Sequence, residues 1–145
     1  MSKSKMVIVV RKDLEMRKGK LIAQGSHAVV GAILQLFFGN RLTEDSFEGS
    51  GNEEKSWKIN KELQNISQTE KDWFTGDFTK VCLYVNSEEE LDDIYNKAKD
   101  AGLNVCEIID NGLTEFHGVK TKTCLAIGPD LSDKIDPITG NLKLL

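Results

Sequence analysis

Residues 6–28, MVIVVRKDLEMRKGKLIAQGSHA, decide how the rest of the chain is read. Met6 to Val10 form an unbroken apolar and largely β-branched run, the signature of a central strand covered on both faces. A charged turn follows, and from Gly19 to about Phe38 there is no proline, while Leu21, Ile22, Val29, Ile33, Leu36 and Phe37 supply a broad apolar face at roughly helical spacing. A strand, a Gly-Lys pair and a helix raise the possibility of a phosphate-binding loop. That motif needs a glycine five residues before Gly19 and a hydroxyl after the lysine. Leu14 and Leu21 stand in those places, so loop curvature and magnesium ligand are both missing. What survives is a lysine beside the free amides of a helix N-terminus, a sound anion site without a nucleotide loop. Lys20, Gln24 and His27, at i, i+4 and i+7, are expected to form a polar stripe on one face of this long helix. For His27 alone the plainer reading is a hydrogen-bonded structural histidine, and it is carried as a supporting candidate.

Outward from this unit, the segment 39–53 loses periodicity, collects glycines and acidic residues, and reads as a flexible acidic loop. Trp57, Leu63 and Ile66 suggest a second helix over about 54–72. KVCLYV (80–85) is a second strand. Residues 86–102 form the clearest helix, with Ser87 and Glu90 as a capping box, Leu91, Ile94, Tyr95 and Ala98 as its buried stripe and Gly102 as its stop. NVCEII (104–109) and TCLAIG (123–128) complete four strands. The order β-α-α-β-α-β-β predicts an α/β fold over residues 1–145 as one domain, with a mixed, mostly four-stranded sheet and helices on both faces.

The 145 residues carry a net charge of −4, which argues against coating nucleic acid through overall charge. Yet Lys3, Lys5, Arg11, Lys12, Arg17, Lys18 and Lys20 crowd the first twenty positions, against only Asp13 and Glu15. The positive charge is concentrated beside the opening motif. Cys82, Cys106 and Cys124 are an odd number without a C-x-x-C pair, which fits neither a disulfide framework nor a zinc site and points to a reducing cytosol. No apolar run approaches the ~20 residues of a membrane-spanning helix, and no signal peptide is expected. Cys124 within an apolar strand reads as core, and Trp57 and Trp73 as core or cover rather than base-stacking groups.

A second polar constellation lies in DNGLTEFHGVKTKT (110–123), where Asp110 ends a strand and is followed by Gly112, Thr114, Thr121 and Thr123. An ordinary Asx turn is the plainer account. Strand ends are nevertheless where open α/β sheets place ligands. If the ends of the first and third strands lie side by side, Lys20 and Asp110 meet across a cleft with hydroxyls around them. A cation, a base and positioning groups suit hydrolysis of an activated ester, with no metal or cofactor required.

These residues carry a family resemblance. R-x-D-L-x-M-x-K-G-K (11–20), A-Q-x-S-H-A (23–28), D-x-G-x-T-E-F (110–116), A-I-G-P (126–129) and the ending IDPITGNLKLL, in this order and combination, resemble the type II peptidyl-tRNA hydrolases. Only about residues 39–75 fall outside the resemblance. It implies a compact α/β enzyme, often a homodimer, that cleaves the ester joining a peptide to the 3′-terminal ribose of transfer RNA and so returns stalled tRNA to use. By the same resemblance Lys20, Asp110, Thr114 and Thr123 are the catalytic set, with Gln24 and His27 in the family's helix pattern. The turn before CLAIGP is one residue longer than the commonest form, so Thr121 is kept beside Thr123. The departures Gly25, Asn111 and Lys120 remove no proposed catalytic group. Arg11, Lys12, Arg17 and Lys18 would hold RNA phosphates with little regard to base sequence. A cytoplasmic enzyme without a membrane anchor is expected, with a non-catalytic RNA-binding module of the same fold as the alternative.

Overall fold

A computed structural model describes residues 3–38 and 66–145. Strand β1 (Ser4–Arg11) leads through a short 3-10 turn, Lys12–Leu14, into helix α1 (Lys18–Phe38). Helix α2 (Gln68–Thr75), β2 (Lys80–Val85), α3 (Glu88–Asp100), β3 (Val105–Asp110), β4 (Thr121–Leu131), α4 (Ser132–Thr139) and a two-residue β5 (Lys143–Leu144) follow. The predicted acidic loop and most of the predicted helix 54–72, including Trp57 and Leu63, lie outside the described residues. Within them, Ser67 caps α2 by accepting from the Glu70 N–H at 3.1 Å, so this helix starts at Gln68 and runs three residues beyond its predicted end.

Among the described residues the sheet has five strands in the order β3-β4-β1-β2-β5. Only β1 and β2 are parallel neighbours; β4 runs antiparallel to both β1 and β3, and β5 antiparallel to β2. The fold is the expected mixed α/β sheet, enlarged by β5 after the unpredicted α4. One expectation about neighbours changes. The ends of β1 and β3 are not side by side, because β4 returns between them. Both strands still point the same way, so Arg11 and Asp110 flank the beginning of β4.

Alternation along the strands builds two cores. Val7, Val9, Leu125 and Ile127 face Leu91, Ile94 and Ala98 of α3 and Ile135 and Ile138 of α4. Met6, Ile8, Val10, Cys106, Cys124 and Ala126 face Ala28 and Ala32 of α1 and Trp73 of α2. Strand β1 is thus covered on both faces, as its unbroken apolar run implies. Trp73 is core, and its indole N–H donates to the Thr79 carbonyl at 2.8 Å. In α3 the capping box forms: Ser87 Oγ accepts from the Glu90 N–H at 3.1 Å, while the Glu90 carboxylate accepts from the Asn86 N–H at 2.8 Å. Truncating Leu125, fully buried in the first core, leaves a cavity between β4 and α3. Leu125→Ala is expected to cost about 2–5 kcal/mol, measured by urea unfolding.

Helix α1 matches its predicted bounds to within one residue, but contrary to the expectation that no apolar run approaches a membrane span it is long and apolar enough by composition to cross one. In the fold it lies on the sheet instead, burying Gln24, Ala28 and Ala32. Small residues let it come close: a Cβ on Gly31 would stand 2.5 Å from Cys106 Sγ of β3. This approach brings the first turns of α1 within side-chain reach of the end of β3.

Candidate active site

Asp110 is the last residue of β3 and pairs with Thr121 at the start of β4. Its Oδ2 accepts from the Gly112 N–H at 2.9 Å, closing an Asx turn that aims the carboxylate back over the strand end. Gly112 has φ +77, and a Cβ there would come 2.3 Å from the Val119 carbonyl oxygen, so no other residue fits without moving the loop. The 112–118 loop is closed by the Gly118 N–H donating to the Gly112 carbonyl at 2.8 Å.

Lys20, from the first turn of α1, reaches this carboxylate. Its Nζ donates to Asp110 Oδ1 at 2.9 Å and to Thr114 Oγ1 at 2.9 Å. It also lies 5.6 Å from the centre of the Phe116 ring. Both charged side chains are mostly covered, with Lys20 13% and Asp110 15% exposed. The hydrogen bond from Lys20, reinforced by Gly112 and Gln24, holds the Asp110 carboxyl below its ordinary value against the opposing effect of burial. Asp110 is therefore a carboxylate that accepts hydrogen bonds well and protons poorly.

Gln24, one turn after Lys20, completes the cluster from inside. Its Nε2 donates to Asp110 Oδ1 at 3.3 Å, and its Oε1 accepts from Thr123 Oγ1 at 2.6 Å. Thr123 reaches α1 because β4 carries one extra residue. Ile108 pairs with Cys124, but Ile109 already pairs with Lys122, leaving Thr123 without a partner across β3. Such a bulge breaks the strict in-out alternation of side chains. Thr123 and Cys124 consequently both face α1, and the Cys124 thiol donates to the Gln24 carbonyl at 3.3 Å. Thr123 is fully buried, whereas Thr114 is exposed on the loop.

The remaining candidates separate. His27 is exposed and does not join the stripe of Lys20 and Gln24. The buried ridge of α1 runs on through Ala28 and Ala32, and His27 is about a quarter turn off its centre line. Lys20 is offset to the same side, but its long stem crosses the gap where an imidazole cannot. Thr121 turns away, donating to the Val119 carbonyl at 2.9 Å. Arg11 is occupied within the fold, paired with Asp13 at 2.6 Å and donating to the Lys122 carbonyl at 3.1 Å. Lys12, 4.4 Å from the centre of the Tyr84 ring, and Arg17 and Lys18 remain at the surface. Arg17 is 3.6 Å from Glu115. Burial pushes the Cys124 thiol up to about 11, in keeping with a core residue. Among the described residues, no three His, Cys, Asp or Glu side chains stand together as metal ligands. Phe116, beneath the Lys20 ammonium, was not singled out from sequence, since an aromatic in a polar turn carries no periodic signal.

The family profile described as peptidyl-tRNA hydrolase PTH2 matches residues 4–145. A peptidyl-tRNA hydrolase of Methanocaldococcus jannaschii is 40% identical over 141 residues, covering 97% of this chain and 99% of the relative. One of Nanoarchaeum equitans is 41% identical over 140 residues, covering 97% of each. Among solved structures, a protein of unknown function from Agrobacterium shares the fold with a TM-score of 0.54 at 12% identity, over 100% of this chain and 99% of its own.

Proposed function

Because the chain belongs to the peptidyl-tRNA hydrolase PTH2 family, we propose that it cleaves the ester between a peptide and the terminal ribose of tRNA, with Lys20, Asp110 and Thr114 at the reacting bond. The observation that carries this reading is the shared donor arrangement at Lys20. An ammonium has three N–H donors, and two are used by Asp110 and Thr114. Thr114 accepts from Lys20, so its own hydroxyl proton is available to donate. The third Lys20 N–H and the Thr114 O–H are then adjacent donors for an ester carbonyl oxygen as it becomes an oxyanion.

In the reaction, water adds to the ester carbonyl carbon and negative charge collects on its oxygen. As collapse breaks the bond to the ribose oxygen, that oxygen takes up one of the water's two protons, and the peptide departs as a carboxylate with the second proton released to solvent. Asp110 holds the Lys20 side chain in place, and with a free lone pair on Oδ2 it orients the attacking water. Its lowered proton affinity favours that role over full proton abstraction, because general-base efficiency falls as the base weakens. Lys12, Arg17 and Lys18, exposed beside the N-terminus of α1, suit contact with the RNA phosphates.

Release of N-acetylaminoacyl groups from tRNA by the purified protein tests the proposal, with free aminoacyl-tRNA as the comparison. Rapid cleavage of the blocked ester and slow cleavage of the unblocked one is the expected result. Tight tRNA binding without turnover would instead establish the non-catalytic module.

A further inference from the structure

We propose that Thr123 is a positioning residue whose contribution to hydrolysis passes entirely through the Gln24 side chain, and that the β4 bulge exists in this site to make that contact. The inference rests on the hydrolase reading above and departs from the family resemblance, under which Thr123 belongs among the reacting groups.

The Thr123 hydroxyl has one proton, and of its two neighbours Gln24 Oε1 at 2.6 Å is the closer and stronger acceptor than Cys124 Sγ at 3.7 Å. Its side chain has no solvent-accessible surface, and Gln24 is 2% exposed, so substrate cannot touch either without opening the fold. The carboxamide could face Asp110 with its oxygen or its nitrogen. An oxygen there would confront a carboxylate, whereas the nitrogen donates to it at 3.3 Å. Thr123 selects the second orientation by giving the oxygen a donor on the opposite side. The same strand ties the Gln24 backbone through Cys124, which sets the height of α1 against β4.

The bulge makes this possible. Without the extra residue, Thr123 would follow the alternation of Leu125 and Ile127 and point towards α3. With it, a hydroxyl enters the core on the α1 side and meets the amide needed to direct a proton at Asp110. The chain Thr123 to Gln24 to Asp110 is continuous, and its last member also holds Lys20.

A double-mutant cycle in the full chain tests this, using single-turnover release of N-acetylaminoacyl groups from tRNA. Thr123→Val, which keeps shape and removes the hydroxyl, is expected to lower the rate constant about ten- to hundredfold with KM unchanged. Thr123→Ser restores it. In a Gln24→Met background, Thr123→Val is expected to cost nothing further. An equal loss in both backgrounds would overturn the proposal and return Thr123 to direct contact with the reaction. A second measurement does not depend on turnover: Asp110→Asn should move the Gln24 side-chain amide resonance in the otherwise native protein and leave it unmoved when Thr123 is Val. A Gln24 amide indifferent to Thr123→Val also overturns the proposal. Failure of the native protein to cleave the ester, with the resonances behaving as expected, would remove the hydrolase reading while preserving the relay geometry.

Discussion

Replacing Lys20 by alanine is expected to lower the turnover of N-acetylaminoacyl-tRNA by about 10²- to 10³-fold, the range associated with losing an oxyanion-stabilising donor. The size follows from where the ammonium sits. It is mostly covered, fixed between Asp110 and Thr114, and close to an aromatic face, so its remaining N–H needs little reorganisation to meet developing charge. Arginine would not substitute, because its planar fork cannot place three tetrahedral donors on the same points. Substrate affinity should change much less, since Lys12, Arg17 and Lys18 are the cations proposed to hold the RNA. The measurement is a single-turnover rate beside a filter-binding constant for uncharged tRNA. A variant that keeps its rate within threefold while losing affinity would make Lys20 a phosphate contact instead.

Asp110→Asn is expected to reduce the rate about 10²-fold or more. Asparagine preserves the outline and can still accept from Gly112, so the loss reports charge rather than loop collapse. The pH dependence makes a separate check. Asp110 is held below its ordinary range, so the loss of the native enzyme's activity through this group should lie at more acid pH than an unperturbed aspartate would give. The stability it contributes has the same sign: present above the unfolded value and lost as pH falls through the lower folded one. Lys20 is the largest cause of the depression. In Lys20→Ala, Asp110 therefore moves up towards the ordinary range, and the acid limb of the residual activity moves up with it. An acid limb identical in the two proteins would show that Asp110 ionisation does not control the rate. Thermal unfolding of each variant at neutral pH separates these effects from loss of the fold.

Much of this architecture is present in short-range signals. Met6 to Val10 are apolar without interruption because β1 is the strand covered by helices on both sides. Ser87 and Glu90 announce α3 because capping chemistry involves neighbours in sequence, and KVCLYV coincides with β2. The residue types of the candidate site were equally legible: a lysine at a helix N-terminus, an aspartate at a strand end, hydroxyls after it. The absence of the glycine and hydroxyl required of a nucleotide loop was also decided by sequence alone.

Tertiary structure decided what those residues do for one another. Helical spacing grouped His27 with Lys20 and Gln24, but α1 buries the ridge through Gln24, Ala28 and Ala32 against the sheet and leaves the imidazole outside. Leu131, Ile135 and Ile138 carry a helical spacing for α4, but the helix is only eight residues long and contains Pro137, and the two-residue β5 is too short for a periodic signal; both depend on packing against elements distant in sequence. Strand order placed β4 between β1 and β3, a choice made by long-range pairing. The bulge in β4 is likewise invisible in the letters TKTC, because an extra residue exists only relative to a partner strand. The sequence by itself determined an α/β fold and the lysine, aspartate and threonines available for ester chemistry; the pairing of β3 with β4 decided that Thr114 meets Lys20 directly while Thr123 reaches Asp110 through Gln24.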